Sequence, residues 1–178
     1  MRIGGVVLAG GQSHRFGSDK AAALFRGRTL LDFSIMGLRP HCDLVLVSGR
    51  FHPAHPLSAD RPGRGFGPLG GLAGAMQRAN ALGFSHLLSL PCDTPHLPDG
   101  LLAALLLRAE GAYAAACPVI GFWPTRLGGG LERYLARGGS KAVRSWAESE
   151  NIAPLTGFGD IPNINSVSDF ARIVRRHG

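Results

Sequence analysis

Ile3-Gly4-Gly5-Val6-Val7-Leu8-Ala9 runs directly into Gly10-Gly11-Gln12-Ser13-His14-Arg15-Phe16-Gly17-Ser18-Asp19-Lys20. The apolar part has no helical spacing and reads as a strand buried on both faces. The part that follows places glycine where the chain leaves the strand, so that backbone N–H groups can approach an anion. Arg15 and Lys20 add positive charge to the same loop. A buried strand that opens into a glycine loop is how a parallel α/β sheet presents its ligand-binding end. The loop is not a Walker A sequence, because no Gly-Lys-Ser/Thr closes it, and its glycines lack the G-x-G-x-x-G spacing of dinucleotide folds. From these residues alone, a phosphate site and a glycine turn with solvated charges both stand.

Working outward, short apolar runs alternate with helix-length amphipathic segments, the pattern of a parallel sheet covered by helices. Residues 29–38 read as a helix with Thr29 as N-cap, and 44–48 (LVLVS) as the second strand. A stretch rich in Pro, His and Gly follows to Gly67 and reads as loop. Residues 68–80 place Leu69, Leu72, Met76 and Ala79 on one helical face, and 86–90 read as the third strand. A helix over 99–110 with Asp99 as N-cap, a fourth strand over 112–119, and helices near 131–136, 141–149 and 168–175 complete the pattern. With neither repeat nor linker, residues 1–178 form one α/β domain, a three-layer α/β/α sandwich of Rossmann-like topology. Ligands bind such sheets outside the carboxyl ends of the strands. That rule selects residues 10–20, 49–67, 91–98 and 121–125.

Composition narrows the class. An apolar fraction of 45% and a charged fraction of 17% describe a globular protein of 178 residues with an ordinary core. The glycines gather at 4–17, 63–74 and 127–139. Such clusters mark backbone close to a ligand or simple turns, and for the third cluster the two readings are equal. The net charge of +7 comes from arginines scattered along the chain, with only Lys20 and Lys141 beside them. Without a basic run interleaved with aromatics, nucleic acid is not the expected partner; phosphate-bearing small molecules are. Cys42, Cys92 and Cys117 are too few and too widely spaced for a disulfide framework or a zinc knuckle, so free thiols in a reducing compartment are expected. The apolar start is too short for a signal-peptide core, and no run approaches the ~20 residues of a membrane span. A cytoplasmic protein is expected.

The string LAGGxSxRxGxDK (8–20) resembles the signature of the molybdenum cofactor guanylyltransferases, the MobA family of nucleotidyltransferases. Three more stretches match in order: Gly67-Pro68-Leu69-Gly70-Gly71, Pro91-Cys92-Asp93-Thr94-Pro95-His96-Leu97-Pro98, and Asn163-Ile164-Asn165-Ser166 with Asp169. A weaker match lies at residues 118–124. The resemblance covers residues 3 to about 170 and implies the Rossmann-like nucleotidyltransferase fold. It implies that Leu8, Ala9, Gly10 and Gly11 receive the guanine and ribose of GTP, Gly11 leaving room for a purine where the sister cytidylyltransferases generally read LAAG. Lys20 then reaches the phosphates, with Arg15 beside it. Asp93 is the implied Mg²⁺ ligand, which suits a hard cation that uses one or two carboxylates and takes the rest from phosphates. Asp60 matches a family Asp that contacts guanine, and a carboxylate suits the N–H groups of that base. Asn163 and Asn165 are candidates for the pterin, whose edge needs the donors and acceptors that amides offer together; capping and turn chemistry is the alternative.

The implied reaction is in-line attack of the molybdopterin terminal phosphate on the α-phosphorus of GTP, with pyrophosphate leaving. Lys20, Arg15 and Asp93 are its candidate catalytic residues, with Mg²⁺ as cofactor. GTP and the molybdopterin cofactor are the expected partners, with other cofactor-biosynthesis proteins and recipient molybdoenzymes beyond them, and neither nucleic acid nor membrane. The rival readings are a cytidylyltransferase, a sugar-phosphate nucleotidyltransferase and a nucleotide-binding module without activity. Two positions depart from the pattern: Ser48-Gly49-Arg50 stands where the family often has Asn, and Phe16 replaces Met. His52 and His55 flank Pro-Ala with no third metal ligand nearby in sequence, Cys92 reads as an inert thiol, and Trp123 and Trp146 as core or cleft wall.

Overall fold

The structure is a computed structural model that describes residues 1–10, 24–25, 27–94, 96–162 and 164. Strand β1 (Ile3–Leu8) sits inside a seven-stranded sheet. It pairs in parallel with β4 (Leu44–Ser48) on one side and β6 (His86–Pro91) on the other, which is why it carries no polar residue. A small hairpin of β2 (Leu24–Phe25) and β3 (Arg28–Thr29) precedes helix α1 (Leu30–Leu38). Thr29 caps α1 as its sequence predicts, and Asp32 completes a reciprocal capping box by accepting from the Thr29 backbone N–H.

The remaining elements complete two helical layers. Helix α2 (Gly67–Ala81) lies between β5 (Leu57–Ser58) and β6, and α3 (Leu101–Leu106) precedes β7 (Ala112–Ala114). Strand β8 (Cys117–Pro124), a 3-10 turn, α4 (Gly128–Ala136), α5 (Val143–Ser149) and β9 (Ala153–Leu155) follow. The sheet order is β5-β4-β1-β6-β8-β7-β9. On one face, Val6, Leu8, Leu46 and Leu87 pack under Leu69, Leu72 and Met76 of α2 and Leu131, Leu135 and Trp146 beyond it. On the other, Val7, Val45, Val47 and Leu88 meet Leu31 and Ile35 of α1 and Leu101 and Leu105 of α3. Two buried faces on one sheet are the three-layer sandwich that the alternating pattern predicts, and each large side chain so buried contributes roughly 1.5–3 kcal/mol. Trp123 and Trp146 are core residues with ring centroids 5.4 Å apart. Among the described residues, no helix is long and apolar enough to cross a membrane.

Four sequence expectations need correction. The stretch after β4 is not all loop, because β5 pairs in parallel with the end of β4. Helix α3 is shorter than residues 99–110, and its N-cap is Gly100, left-handed at φ 77°, rather than Asp99. The fourth strand is a hairpin: β7 turns at Ala115–Ala116 into β8, which continues to Pro124. Strand β8 runs antiparallel to β6 and makes the sheet mixed, with Pro124 opposite His86. Residues 121–125 therefore end at the amino end of the parallel strands, away from the other three selected segments. Within the third glycine cluster, Gly128 lies against Met76 and Gln77 of α2. The helix expected at 168–175 lies outside the described residues.

Candidate functional site

Four strands, β5, β4, β1 and β6, point their carboxyl ends the same way. Their trailing segments are stitched together by the main chain. The Ala9 N–H donates to the Ser48 carbonyl at 2.9 Å, and the Cys92 N–H donates to the Leu8 carbonyl at 3.2 Å. The exit from β1 is thus held between the exits of its two neighbours. Gly49 makes this packing possible: its φ is 88°, and a Cβ there would lie 2.3 Å from the Gly10 nitrogen and Cα. No L side chain fits that approach.

Asp60 enters from the segment after β5. It is half-buried and accepts a 3.0 Å hydrogen bond from the Ser48 hydroxyl, which is itself 2% exposed. The start of α2 closes over the same spot. A Cβ on Gly71 would sit 2.5 Å from the Ser48 hydroxyl and 3.0 Å from a Leu8 methyl, so glycine lets the helix come that close. The Arg61 N–H donates to the Gly70 carbonyl at 3.0 Å and ties the Asp60 segment to the helix. On the other flank, Asp93 is half-buried in the turn that ends β6, and the next residue, Thr94, is fully buried. The Ile164 N–H donates to the Asp93 carbonyl at 2.9 Å, and Ile164 is fully buried. Ser34 of α1 supports the turn by donating to the Pro91 carbonyl at 3.0 Å.

The structure thus brings Leu8, Ala9, Gly10, Asp60 and Asp93 to one end of the sheet. Gly11, Arg15, Lys20, Asn163 and Asn165 lie outside the described residues. Ile164 itself is joined to the Asp93 turn by its N–H. In sequence, Ser48, Gly49 and Ile164 have no site role of their own, although Ser48-Gly49 departs from the family pattern and Ile164 lies within the Asn163–Ser166 stretch. Gly49 had a signal, a glycine directly after a strand; the Ser48–Asp60 and Ile164–Asp93 contacts had none, being set by tertiary packing.

His52 does have an acidic neighbour: its Nε2 lies 3.5 Å from Asp32 Oδ1. Its Nδ1 accepts from the Ala54 N–H, so Nε2 carries the proton and donates to Asp32. Among the described residues no three His, Cys, Asp or Glu gather as a metal cage. Burial, reinforced by the charge of Asp43, pushes the Cys42 thiol up to about 12, which makes it inert at neutral pH.

Residues 5–152 match the model of the MobA-like NTP transferase domain. A molybdenum cofactor guanylyltransferase of Cereibacter sphaeroides is 33% identical over 188 residues, spanning 97% of this chain and 95% of its own. Another, of Acidiphilium cryptum, is 35% identical over 92% of this chain and 90% of its own. Among solved structures, molybdopterin-guanine dinucleotide biosynthesis protein A of Archaeoglobus fulgidus superposes with a TM-score of 0.76 at 16% identity, over 97% of each chain. A Mycobacterium tuberculosis protein solved as a manganese complex superposes with a TM-score of 0.65 at 16% identity, over 98% of this chain and 99% of its own. The structural likenesses speak for the fold, the sequence matches for descent: the chain belongs to the MobA-like NTP transferase family.

Proposed function

We propose that this chain transfers GMP from GTP to the terminal phosphate of molybdopterin, releasing pyrophosphate and forming the molybdopterin guanine dinucleotide. The observation that carries this reading is the convergence of the Leu8–Gly10 exit, Asp60 and Asp93 at one end of the sheet, in a chain about one-third identical to guanylyltransferases over nearly its full length. The backbone at residues 8–10 would hold guanine and ribose, with Gly11 leaving room for the purine, and Asp60 would accept from the base. Arg15 and Lys20 would neutralise the phosphates.

Asp93 would hold a Mg²⁺ ion, whose other oxygen ligands the substrates and water would supply. One carboxylate stands at the end of β6 on a backbone pinned by Ile164, and a phosphate-borne hard cation needs no all-protein cage. When bound, the ion would supply charge neutralisation at the reacting phosphates. The acceptor phosphate is already an anion, so the protein need not remove a proton from it. Its oxygen bonds to the α-phosphorus as the bond to the bridging oxygen of pyrophosphate breaks. The work of the chain is then to align the two substrates and to stabilise charge. Asn163 and Asn165 would meet the acceptor, their amides offering the donors and acceptors that a pterin edge needs. The reaction fits the cytoplasm, where free thiols persist.

Incubation with Mg²⁺, molybdopterin and each of the four nucleoside triphosphates, read by product mass, tests the proposal. The guanine dinucleotide should form from GTP, with CTP used at least ~10-fold less well, the scale of a steric mismatch in a pocket. Equal use of CTP would point to the cytidylyl reading.

A further inference from the structure

We infer that Ser48 is a positioning residue for guanine recognition: its hydroxyl fixes the Asp60 carboxylate in the orientation that reads the base. The inference rests on the assignment of Asp60 to the guanine and adds to it a residue that touches no nucleotide. Ser48 is the last residue of β4, and its hydroxyl donates to Asp60 Oδ1 at 3.0 Å from a position 2% exposed. The hydroxyl is confined by the backbone of α2 at Gly71 and by Leu8. Asp60 follows β5 by two positions, in an irregular segment where an Asp side chain would otherwise sample several rotamers. A donated hydrogen bond from a buried strand removes that freedom and leaves Oδ2 and the second lone pair of Oδ1 to accept from the base. A carboxylate held this way can take both the N1–H and the 2-amino group of guanine. Hypoxanthine, which lacks the 2-amino group, can offer it only one.

The neighbouring strand supplies an internal control. Ser58 lies directly across from Ser48 in the β4–β5 pair, is 1% exposed, and its hydroxyl has no hydrogen-bond partner. Removing that hydroxyl perturbs the same patch of core without touching Asp60.

The experiment measures GTP and ITP in parallel for wild type, Ser48→Ala, Asp60→Ala, the double variant and Ser58→Ala. It uses kcat/KM with Mg²⁺ and molybdopterin, and equilibrium nucleotide binding without acceptor. Ser48→Ala should lower the GTP-to-ITP preference about 3- to 10-fold, the reach of one oriented hydrogen bond, with melting temperature nearly unchanged. Asp60→Ala should lower it at least as far, and the double variant should be no worse than Asp60→Ala, because Ser48 acts only through Asp60. Ser58→Ala should keep the wild-type ratio. A wild-type ratio in Ser48→Ala, or additive losses in the double variant, overturns the inference. So does an unchanged ratio in Asp60→Ala. If wild type binds GTP over ITP but transfers no nucleotide to molybdopterin, the reaction reading fails while the binding ratios still decide the role of Ser48.

Discussion

Asp32 and Asp93 are both acidic residues near a strand or helix end, yet they serve different purposes. Asp32 belongs to the α1 capping box, and its carboxyl lies below the ordinary value of 3.8, first because of the hydrogen bond from the Thr29 side chain. A lowered folded-state pKa contributes stability that is present above the unfolded value and is lost as pH falls through the folded one. Asp32→Ala should therefore lower the melting temperature by a constant amount above about pH 5, and the gap should close as acid takes the wild type below 3.8. A gap that stays constant down to pH 2 would remove the carboxylate from the account. Asp93→Asn, in contrast, should leave folding intact, lower turnover roughly 10²–10³-fold and raise the Mg²⁺ needed for half-maximal rate. Normal metal dependence in that variant would rule Asp93 out as the ligand. The difference between local and distant causes also sets what a sequence reveals at this scale. The Thr29 cap was legible because capping chemistry acts over three residues; the Asp99 cap was not, because Gly100 takes the left-handed position and starts the helix itself. Ser48 next to Asp60 is a contact across two strands that no local pattern encodes.

Among the elements, those with a period were legible and those made by a partner were not. Helix α2 declared itself through Leu69, Leu72, Met76 and Ala79, and all four are buried. Strand β5 has two residues, too few for a pattern, and exists because β4 offers it an edge. The turn at Ala115–Ala116 carries none of the residues that usually mark a hairpin, so β7 and β8 read as one strand. The exits from β1 and β4 form the tightest junction of elements in the site, and Gly49 is its test. Gly49→Ala would have to hold φ near 88° and move the Gly10 backbone away, a strain on the order of 1–3 kcal/mol. The expected result is a lower melting temperature together with weaker GTP binding, measured on the same sample. Weaker binding should exceed what partial unfolding accounts for if the displaced Gly10 holds the nucleotide as proposed; GTP affinity equal to wild type would separate Gly10 from the nucleotide site.

Across the whole molecule, the antiparallel β8 gives the two ends of the sheet different roles. Every exit that builds the site leaves at one end, while Pro124, Thr125 and the C-terminal end of α2 gather at the other. There the Thr125 hydroxyl donates to the Phe84 carbonyl at 2.7 Å and the Thr125 N–H to the Ser85 carbonyl at 3.0 Å, which makes that end rigid as well as remote. The protein accordingly has a handle. Leu82, at the C-cap of α2, is 46% exposed, and of the native thiols Cys117 is buried, Cys92 is half-buried in the turn after β6 and Cys42 resists ionisation below about 12. A Leu82→Cys variant should take a maleimide dye or a surface linker at that position faster than at any native cysteine, seen by peptide mass mapping, and should turn over GTP at the unlabelled rate. Immobilised this way, the molecule would stand with the end proposed to bind substrate toward the solution, because the α2 C-cap lies at the opposite end of the parallel strands.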